Sequence, residues 1–222
     1  MKTTKRKKKL TYYFSVEGST EKWYLDWLQA TINSEDTAAY LVKLDSKVEK
    51  NPLNHAKKLT VVSKTEITHV FDYESTDPEH VQQFRTTLEH MKKAAELGKN
   101  IRYQLGYSNF TFELWMILHM ADCNGSLSHR SQYLDLLNRA YGENFQSLDH
   151  YKQEKNFKCL LDKLTLDHVR KAIQRSQAIM QHNKDVGYKL IQYEGFDYYE
   201  ENPSLSIWKI IDTILADCQL QH

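Results

Sequence analysis

The sequence predicts an α/β protein with a mainly parallel four-stranded sheet flanked by helices, followed by a helical C-terminal extension. In the first half, short runs rich in β-branched and aromatic residues alternate with helical patterns, which is typical of a parallel sheet covered on both faces. From Ser131 onward the patterns are mainly helical. Because the 222 residues contain no repeat and no Pro/Gly/Ser-rich linker, we expect one compact α/β domain. Its parts would be a basic tail (1–9), an α/β core (10–125) and a helical extension packed on that core (126–222).

The strands and helices of the core follow in order. Residues 10–16 form an apolar run typical of a strand, and the helical pattern after it places Trp23, Tyr24, Trp27 and Leu28 on one face. Residues 39–44 predict a second strand, and residues 54–64 a helix. Residues 66–74 predict a third strand that ends in acids.

The next segments complete the predicted sheet. Residues 75–100 indicate a helix, since Pro78 lies near its first turn and Gly98 closes it. Residues 101–108 predict the fourth strand. Residues 109–122 are apolar almost all the way round, as in a buried helix. Further helices are predicted over residues 167–182 and from residue 202 onward.

The basic residues are concentrated at the start of the chain. The formal net charge is +1, but the first nine residues hold six of the 30 Lys and Arg and no acid, so the remainder has 24 bases against 29 acids, or −5. This tail can contact nucleic-acid phosphate, or it can be a solvated, frayed terminus. Its cations include Lys5, Arg6, Lys7, Lys8 and Lys9.

Several protein classes are disfavoured by composition. No segment resembles a signal peptide or is apolar enough to span a membrane. Cys123, Cys159 and Cys218 lie far apart, unlike zinc ligands or a disulfide framework, so we expect a cytoplasmic protein. Neither GxGxxG nor GxxxxGK occurs, which argues against the familiar kinds of nucleotide binding.

Two carboxylates flank the end of the first predicted strand. Glu17 leaves the strand, Gly18 allows a tight turn or a close backbone approach, and Ser19 or Thr20 can cap the next helix. Glu21 in the first helical turn is equally explained by the helix dipole or by a metal site. Glu17 precedes the cap, so we expect its side chain to lie over the strand end, where ligands collect in parallel sheets.

A second acidic pair ends the third predicted strand. Asp72 and Glu74 are two residues apart, which places both side chains on the same side of a strand. Mg²⁺ takes one or two carboxylates and completes its shell with water and phosphate. The pair is therefore a candidate cation site, and the alternative is an acidic, solvated turn.

Polar residues also interrupt the apolar segment after the fourth strand. Ser108 and Asn109 follow that strand, and Glu113 lies in a helix so apolar that it must find a basic partner or face the site. His119 is more simply a core histidine that bonds a backbone group. The sequence shows no GxSxG motif and no other nucleophilic triad.

Together, VEGSTEKWYL, HVFDYE and SNFTFELWMILH, in this order and at these separations, resemble the RloB-like proteins of prokaryotic defence loci, relatives of the AbiL abortive-infection component. The resemblance runs from about residue 10 to the end of the chain. That family is assigned to the Toprim superfamily, so the resemblance implies a Toprim-like, Rossmann-like core. It also implies a site that uses Mg²⁺ or Mn²⁺.

The resemblance assigns roles residue by residue. Glu17 matches the Toprim glutamate that is expected to contact metal and to act as general acid or base. Glu21 matches the second acid of an E-G-x-x-E pattern, and Asp72 matches the first position of a D-x-D pair. The expected catalytic residues are Glu17, Asp72 and Glu74, and the expected metal ligands are these three and Glu21. A SNPxFExWxxxH-like segment is matched by Asn109, Glu113, Trp115 and His119. Supporting roles are expected for Gly18, Ser108, Asn109, Glu113 and His119.

Two positions depart from the family pattern. Glu74 replaces the second aspartate, and its extra methylene displaces the ligating oxygen by about a bond length, which octahedral Mg²⁺ tolerates poorly. Phe110 replaces the proline expected after Asn109, so we expect a less rigid turn into the helix.

The leading hypothesis is a Mg²⁺- or Mn²⁺-dependent nuclease of an anti-phage defence system, acting on DNA or RNA. The resemblance also implies a partner ATPase of the ABC/AAA type encoded alongside, and an oligomer is possible. The alternative is a non-catalytic effector that docks to that ATPase. A topoisomerase is disfavoured, because strand passage needs a further domain with a nucleophilic tyrosine, for which 222 residues leave little room.

Overall fold

Among the described residues of the first half of the chain, four strands alternate with four helices. The structure, a computed structural model, describes residues 7–61, 63–123, 125, 127 and 129–221. The elements of this half are β1 (Lys9–Val16), α1 (Ser19–Ser34), β2 (Leu41–Val48), α2 (Pro52–Lys58), β3 (Thr65–Tyr73), α3 (Pro78–Ala95), β4 (Ile101–Asn109) and α4 (Glu113–Met120).

The second half is mainly helical and includes one β-hairpin. After a short 3₁₀ turn (Arg130–Gln132) come α5 (Tyr133–Tyr141), α6 (Leu148–Tyr151), α7 (Glu154–Leu161) and α8 (Leu166–Asp185). The hairpin strands β5 (Ile191–Tyr193) and β6 (Phe196–Tyr198) precede the final helix α9 (Ile207–Asp217). The hairpin is an addition to the predicted helical extension.

The four long strands form one parallel sheet in the order β2-β1-β3-β4. Val16 of β1 pairs with Val48 of β2 and Val70 of β3, and Asp72 of β3 pairs with Ser108 of β4. The predicted α/β class with a four-stranded parallel sheet is therefore confirmed. Because all strands run in the same direction, the residues that follow β1, β2 and β3 meet at one edge.

Apolar side chains form two cores, one on each side of this sheet. One core contains Phe14, Val16 and Leu44 of the sheet together with helical residues such as Trp115, Phe157 and Ile211, so the C-terminal helices share the core of the α/β part. The other core packs α3 and the hairpin on β3 and β4, through Phe71, Phe84, Tyr107 and Tyr198. Burial of each large side chain contributes about 1.5–3 kcal/mol, and this fixes the strand ends in place.

One face of the β1–β2 half of the sheet is solvent-exposed. Its side chains are Lys9, Thr11 and Tyr13 of β1 and Lys43, Asp45 and Lys47 of β2, of which Asp45 is half-buried and the others are exposed. Parallel sheets usually have both faces covered. The prediction of a sheet covered on both faces thus fails for these two strands.

The outer edge of β2 is occupied by amide side chains of α1. Asn33 accepts a hydrogen bond from the Val42 N–H (2.7 Å) and donates to the Val42 carbonyl (2.9 Å). Gln29 accepts from the Leu44 N–H (2.7 Å). These contacts satisfy backbone groups that an edge strand otherwise leaves open.

Several predicted helices begin elsewhere than expected, among them the C-terminal helix, which starts at Ile207 and not at residue 202. The helix predicted over 54–64 is α2, which starts two residues earlier because Asn51 caps it and Pro52 occupies its first position. The helix predicted from residue 109 starts at Glu113, because Asn109 ends β4 and Phe110 has a φ of 60°. A proline cannot adopt that φ, so Phe110 changes the backbone path of the turn as well as its rigidity.

Candidate functional site

The ends of β1 and β3 bring three predicted carboxylates to one cleft. Glu17, Asp72 and Glu74 line a depression of about 240 Å³ at the carboxyl edge of the sheet, together with Glu21 from the first turn of α1. The pairing of Val16 with Val70 places the following residues of both strands side by side. As a result, the Asp72 N–H donates to Glu17 Oε2 at 3.2 Å.

The first turn of α1 differs from the predicted capping. Gly18 is the N-cap and gives no side-chain cap bond, so neither Ser19 nor Thr20 caps the helix. Instead the Thr20 hydroxyl donates to Glu21 Oε2 at 3.0 Å. A Cβ at position 18 would lie 3.1 Å from that same oxygen, so Gly18 makes room for the Glu21 carboxylate.

Glu74 lies at the rim of the cleft between the His80 imidazole and the Arg130 guanidinium. Its Oε2 is 3.5 Å from His80 Nε2 and 3.7 Å from a terminal guanidinium nitrogen of Arg130. Its side chain is 41% exposed, whereas Glu21 is buried. Glu74 therefore faces the same cleft as Asp72 while its charge is shared with basic neighbours.

Lys152, which immediately follows α6, places an ammonium among the carboxylates. Its Nζ lies 3.3 Å from Glu113 Oε1, and Glu113, fully buried, also accepts a hydrogen bond from the Thr111 hydroxyl. Glu113 thus has the basic partner that its apolar helix requires. Because Lys152 also lines the cleft, the ion pair joins α4 to the acidic site.

Burial and nearby charges raise the pKa of the acids in the cleft. Loss of surrounding water raises the pKa of Glu17 to about 7; the Asp72 N–H opposes this rise, and Glu21 adds to it. The same desolvation raises the pKa of Asp72 well above its usual range although part of the residue is accessible, and the charges of Glu17, Glu21 and Glu113 add to the rise. Burial also raises the pKa of Glu21.

Three basic residues of the cleft carry no recognisable sequence motif. Lys50 follows β2, Arg130 precedes α5, and Lys152 lies between α6 and α7. Burial lowers the pKa of Lys152, but Glu113, Asp72 and Glu21 outweigh that effect and raise it, so the residue stays protonated. Only the fold brings these cations to acids that are distant in sequence.

The donor chemistry of the cleft fits a hard divalent cation. The charges of Glu21 and Glu74 raise the pKa of Glu17, those of Glu17 and Glu21 raise the pKa of Asp72, and a cation between these acids would relieve that repulsion. In the described part of the chain, however, no group of three or more His, Cys, Asp or Glu side chains is already arranged to hold a metal ion. A metal ion held by Glu17 and Glu74 would compete with their present partners, the Asp72 N–H for Glu17 and His80 and Arg130 for Glu74.

Ser108 and Asn109 join the end of β4 to the C-terminal segment. Ser108 forms a β-bridge with Leu205. The Asn109 amide donates to the Glu201 carbonyl (2.6 Å) and to the Ser204 hydroxyl (2.7 Å), and the Asn109 N–H donates to the Ser204 carbonyl (2.9 Å). Neither side chain lines the acidic cleft.

His119 belongs to a buried aromatic cluster. Its Nε2 is 3.1 Å from the Tyr24 hydroxyl, its Nδ1 is 2.9 Å from the Trp115 carbonyl oxygen, and the rings of Trp115 and His119 meet edge to face. Burial lowers the pKa of His119 to about 3, so the ring is neutral. This placement agrees with the core interpretation of His119.

The basic tail is only partly described. Lys5 and Arg6 lie outside the described residues, and Lys9 is the first residue of β1, so the predicted tail overlaps the sheet by one residue. Lys7 Nζ donates to the carbonyls of Glu35 (3.2 Å) and Asp36 (2.9 Å), beyond the end of α1. Lys8 and Lys9 are exposed.

Comparison with known proteins identifies the family. Among the described residues, no helix has the length and apolarity that a membrane crossing demands. Searches of curated proteins and of solved structures found no match. The family model described as RloB-like protein matches residues 12–214, which includes every acid of the cleft. The chain therefore belongs to the RloB-like family.

Proposed function

We propose that this RloB-like protein is a Mg²⁺- or Mn²⁺-dependent nuclease that hydrolyses phosphodiester bonds of DNA or RNA in a prokaryotic anti-phage defence system. The observation that supports it most is the convergence of Glu17, Glu21, Asp72 and Glu74 at one edge of the parallel sheet. Structural ion pairs rarely place four acids in one cleft, because each carboxylate makes its neighbours harder to ionise.

The residues of the cleft suit phosphodiester chemistry. Asp72, Glu74, Glu17 and Glu21 would hold the cation, which when bound activates water and offsets charge on the phosphate. Glu17, which leaves β1 at the cleft, would accept a proton from water or return one to the leaving oxygen. Lys50, Arg130 and Lys152 supply positive charge that attracts the substrate phosphate.

The test is cleavage of mixed DNA and RNA substrates, tRNA included, with Mn²⁺ or Mg²⁺ and with or without the proposed partner ATPase. Glu17→Gln and Asp72→Asn should each lower the cleavage rate by about 100-fold or more. Glu66→Gln is the matched control, since Glu66 lies on β3 with Asp72 but at the opposite end of the strand. If both site variants cut as fast as wild type, the assignment is wrong.

One observation favours a second candidate, a non-catalytic effector that docks to the partner ATPase. Glu74 is engaged by His80 and Arg130, and Glu17 by the Asp72 N–H, so the acids are not arranged for metal. A melting-temperature scan separates the two candidates, because a ligand of the native state must stabilise it. Nuclease function requires a rise with millimolar Mn²⁺ that Asp72→Asn loses, and an unchanged melting temperature favours the effector.

A further inference from the structure

The exposed face of β1 and β2 carries lysines and an exposed aromatic ring. Strand register places Thr11 opposite Lys43, Tyr13 opposite Asp45 and Ser15 opposite Lys47. Because alternate residues of a strand share a face, Tyr13 lies in a row with Lys9 on β1, beside a row with Lys43 and Lys47 on β2. Tyr13 is 40% exposed, a large fraction for an aromatic ring on a parallel sheet.

The charge of this face is positive. Lys43 is paired with Asp45 (2.5 Å), while Lys9 and Lys47 form no ion pair within the described ranges. The three lysines against one aspartate leave a charge of +2 on this face, in a chain whose formal net charge is +1. A second copy of the chain would place like charges against each other, so the face is better suited to an anionic partner.

The face also leads to the acidic cleft. Lys47 pairs with Ser15, two residues before Glu17, and Lys50 beyond the end of β2 lines the cleft with Glu17. At about 3.3 Å per strand residue, Lys43 lies roughly 13 Å from Lys47 along β2. Between them, on the neighbouring strand, is the Tyr13 ring. Glu49 adds no free negative charge to this path, because it pairs with Lys58 at 2.8 Å.

We infer that this face, defined by Lys9, Tyr13, Lys43 and Lys47, binds single-stranded nucleic acid and directs the strand toward the cleft. The inference deepens the proposed nuclease function and rests on it for the direction of the strand. Lysines along a path contact successive phosphates, and an exposed ring stacks on an unpaired base. A base inside a duplex does not present its face to a tyrosine, so the partner is single-stranded.

The experiment measures binding without cleavage. Fluorescence anisotropy with labelled 20-nucleotide dT and U oligomers in EDTA, over a range of KCl concentrations, gives the affinity and its salt dependence. Tyr13→Thr keeps a strand-favouring residue and removes the ring, so affinity should fall at least about fivefold. The double variant Lys43→Gln/Lys47→Gln should reduce the slope of log K against log salt by about 1.4, since each single-strand phosphate contact contributes about 0.7.

The controls match exposure and charge elsewhere on the chain. Tyr188→Thr removes a ring that is 41% exposed beyond α8, and Lys155→Gln/Lys171→Gln removes two exposed lysines from α7 and α8. Both should bind the oligomers like wild type. A 20-base-pair duplex should bind Tyr13→Thr and wild type equally. The comparison of dT with U shows which sugar the face prefers.

The outcomes separate this inference from the proposed function. The inference is overturned if Tyr13→Thr and the double lysine variant bind the oligomers with wild-type affinity. It is also overturned if the control variants lose as much affinity as the variants of the face. Neither result affects the metal-dependent cleavage test on Glu17 and Asp72. Conversely, strand binding that depends on this face, in a protein that does not cleave with any metal, supports the face and contradicts the nuclease.

Discussion

Replacing Lys152 by methionine removes the ammonium that faces the buried Glu113 carboxylate and keeps a side chain of similar length. The two charged atoms are 3.3 Å apart, which at an effective dielectric constant of 20 corresponds to about 5 kcal/mol of attraction. Lys152 is 35% exposed, so solvent screens part of this energy and methionine avoids the cost of desolvating an ammonium. We expect Lys152→Met to lower the free energy of unfolding by about 2–4 kcal/mol.

Urea unfolding followed by tryptophan fluorescence measures this change, with a double-mutant cycle to isolate the pair. Glu113→Gln in the Lys152→Met background should recover most of the loss, because glutamine keeps a partner for the Thr111 hydroxyl without a buried charge. The coupling energy between the two positions should then exceed about 1.5 kcal/mol.

A surface ion pair serves as the control. Lys158 Nζ is only 2.6 Å from Glu154 Oε1, but both side chains are more than half exposed. Lys158→Met should therefore cost no more than about 0.5 kcal/mol. If Lys152→Met lowers the free energy of unfolding as little as Lys158→Met, or if the coupling energy is near zero, the buried Glu113 carboxylate does not control the electrostatics of the cleft.

Two further predictions concern buried polar residues away from the acids. His119 has a pKa of about 3 when folded, so below pH 6.5 the unfolded chain binds a proton that the folded one excludes. The stability present above pH 6.5 is therefore lost as the pH falls toward 3, by up to about 1.4 kcal/mol per pH unit. Between pH 7 and pH 5, the urea midpoint should fall less for His119→Asn than for wild type. Equal falls in the two proteins would contradict the assignment. Asn109→Leu leaves backbone carbonyls without their donor, so it should cost about 2–3 kcal/mol. Hydrogen exchange should rise over residues 199–206 and stay unchanged in β1.

The sheet could be predicted from the sequence where its strands are buried on both faces. The predicted third and fourth strands agree with β3 and β4 within one residue, because six of the nine residues of each strand are buried. The second strand was predicted to end at Leu44, whereas β2 continues to Val48. Its last four residues are polar or exposed, Asp45 and Lys47 on the uncovered face and Ser46 and Val48 on the other face near the strand end, so the hydrophobic pattern fades before the strand ends.

The β-hairpin has a local sequence signal, although the sequence analysis predicts only helices in this part of the chain. Glu194 and Gly195 connect β5 and β6, and both have positive φ (50° and 86°), the conformation of the two-residue turns that best join antiparallel strands. A strand of three residues carries too little hydrophobic periodicity to be recognised without its turn. Aromatic residues dominate the hairpin, whose Tyr198 packs on Phe84.

The acids of the cleft could be predicted because they follow strands, and the carboxyl ends of parallel strands meet by geometry. The positions of the basic residues in the cleft could not be predicted from the sequence. Lys152 reaches Glu113 only through the packing of α6 and α7 on the rest of the core, and Arg130 approaches Glu74 from beyond α4. Such long-range contacts depend on helix packing, for which the local sequence pattern contains no signal.

The amide groups of Gln29 and Asn33 occupy the edge of β2 at which the backbone of a fifth strand would otherwise bind. An extended segment from another protein that approached the Val42 side of the sheet would find those hydrogen-bonding groups already taken. Near the opposite edge, the Asn109 N–H and the Tyr107 carbonyl are likewise bonded to Ser204 and Ser206. At these positions, any other chain must be recognised through side chains, because the sheet has no free backbone groups to which a strand could be added.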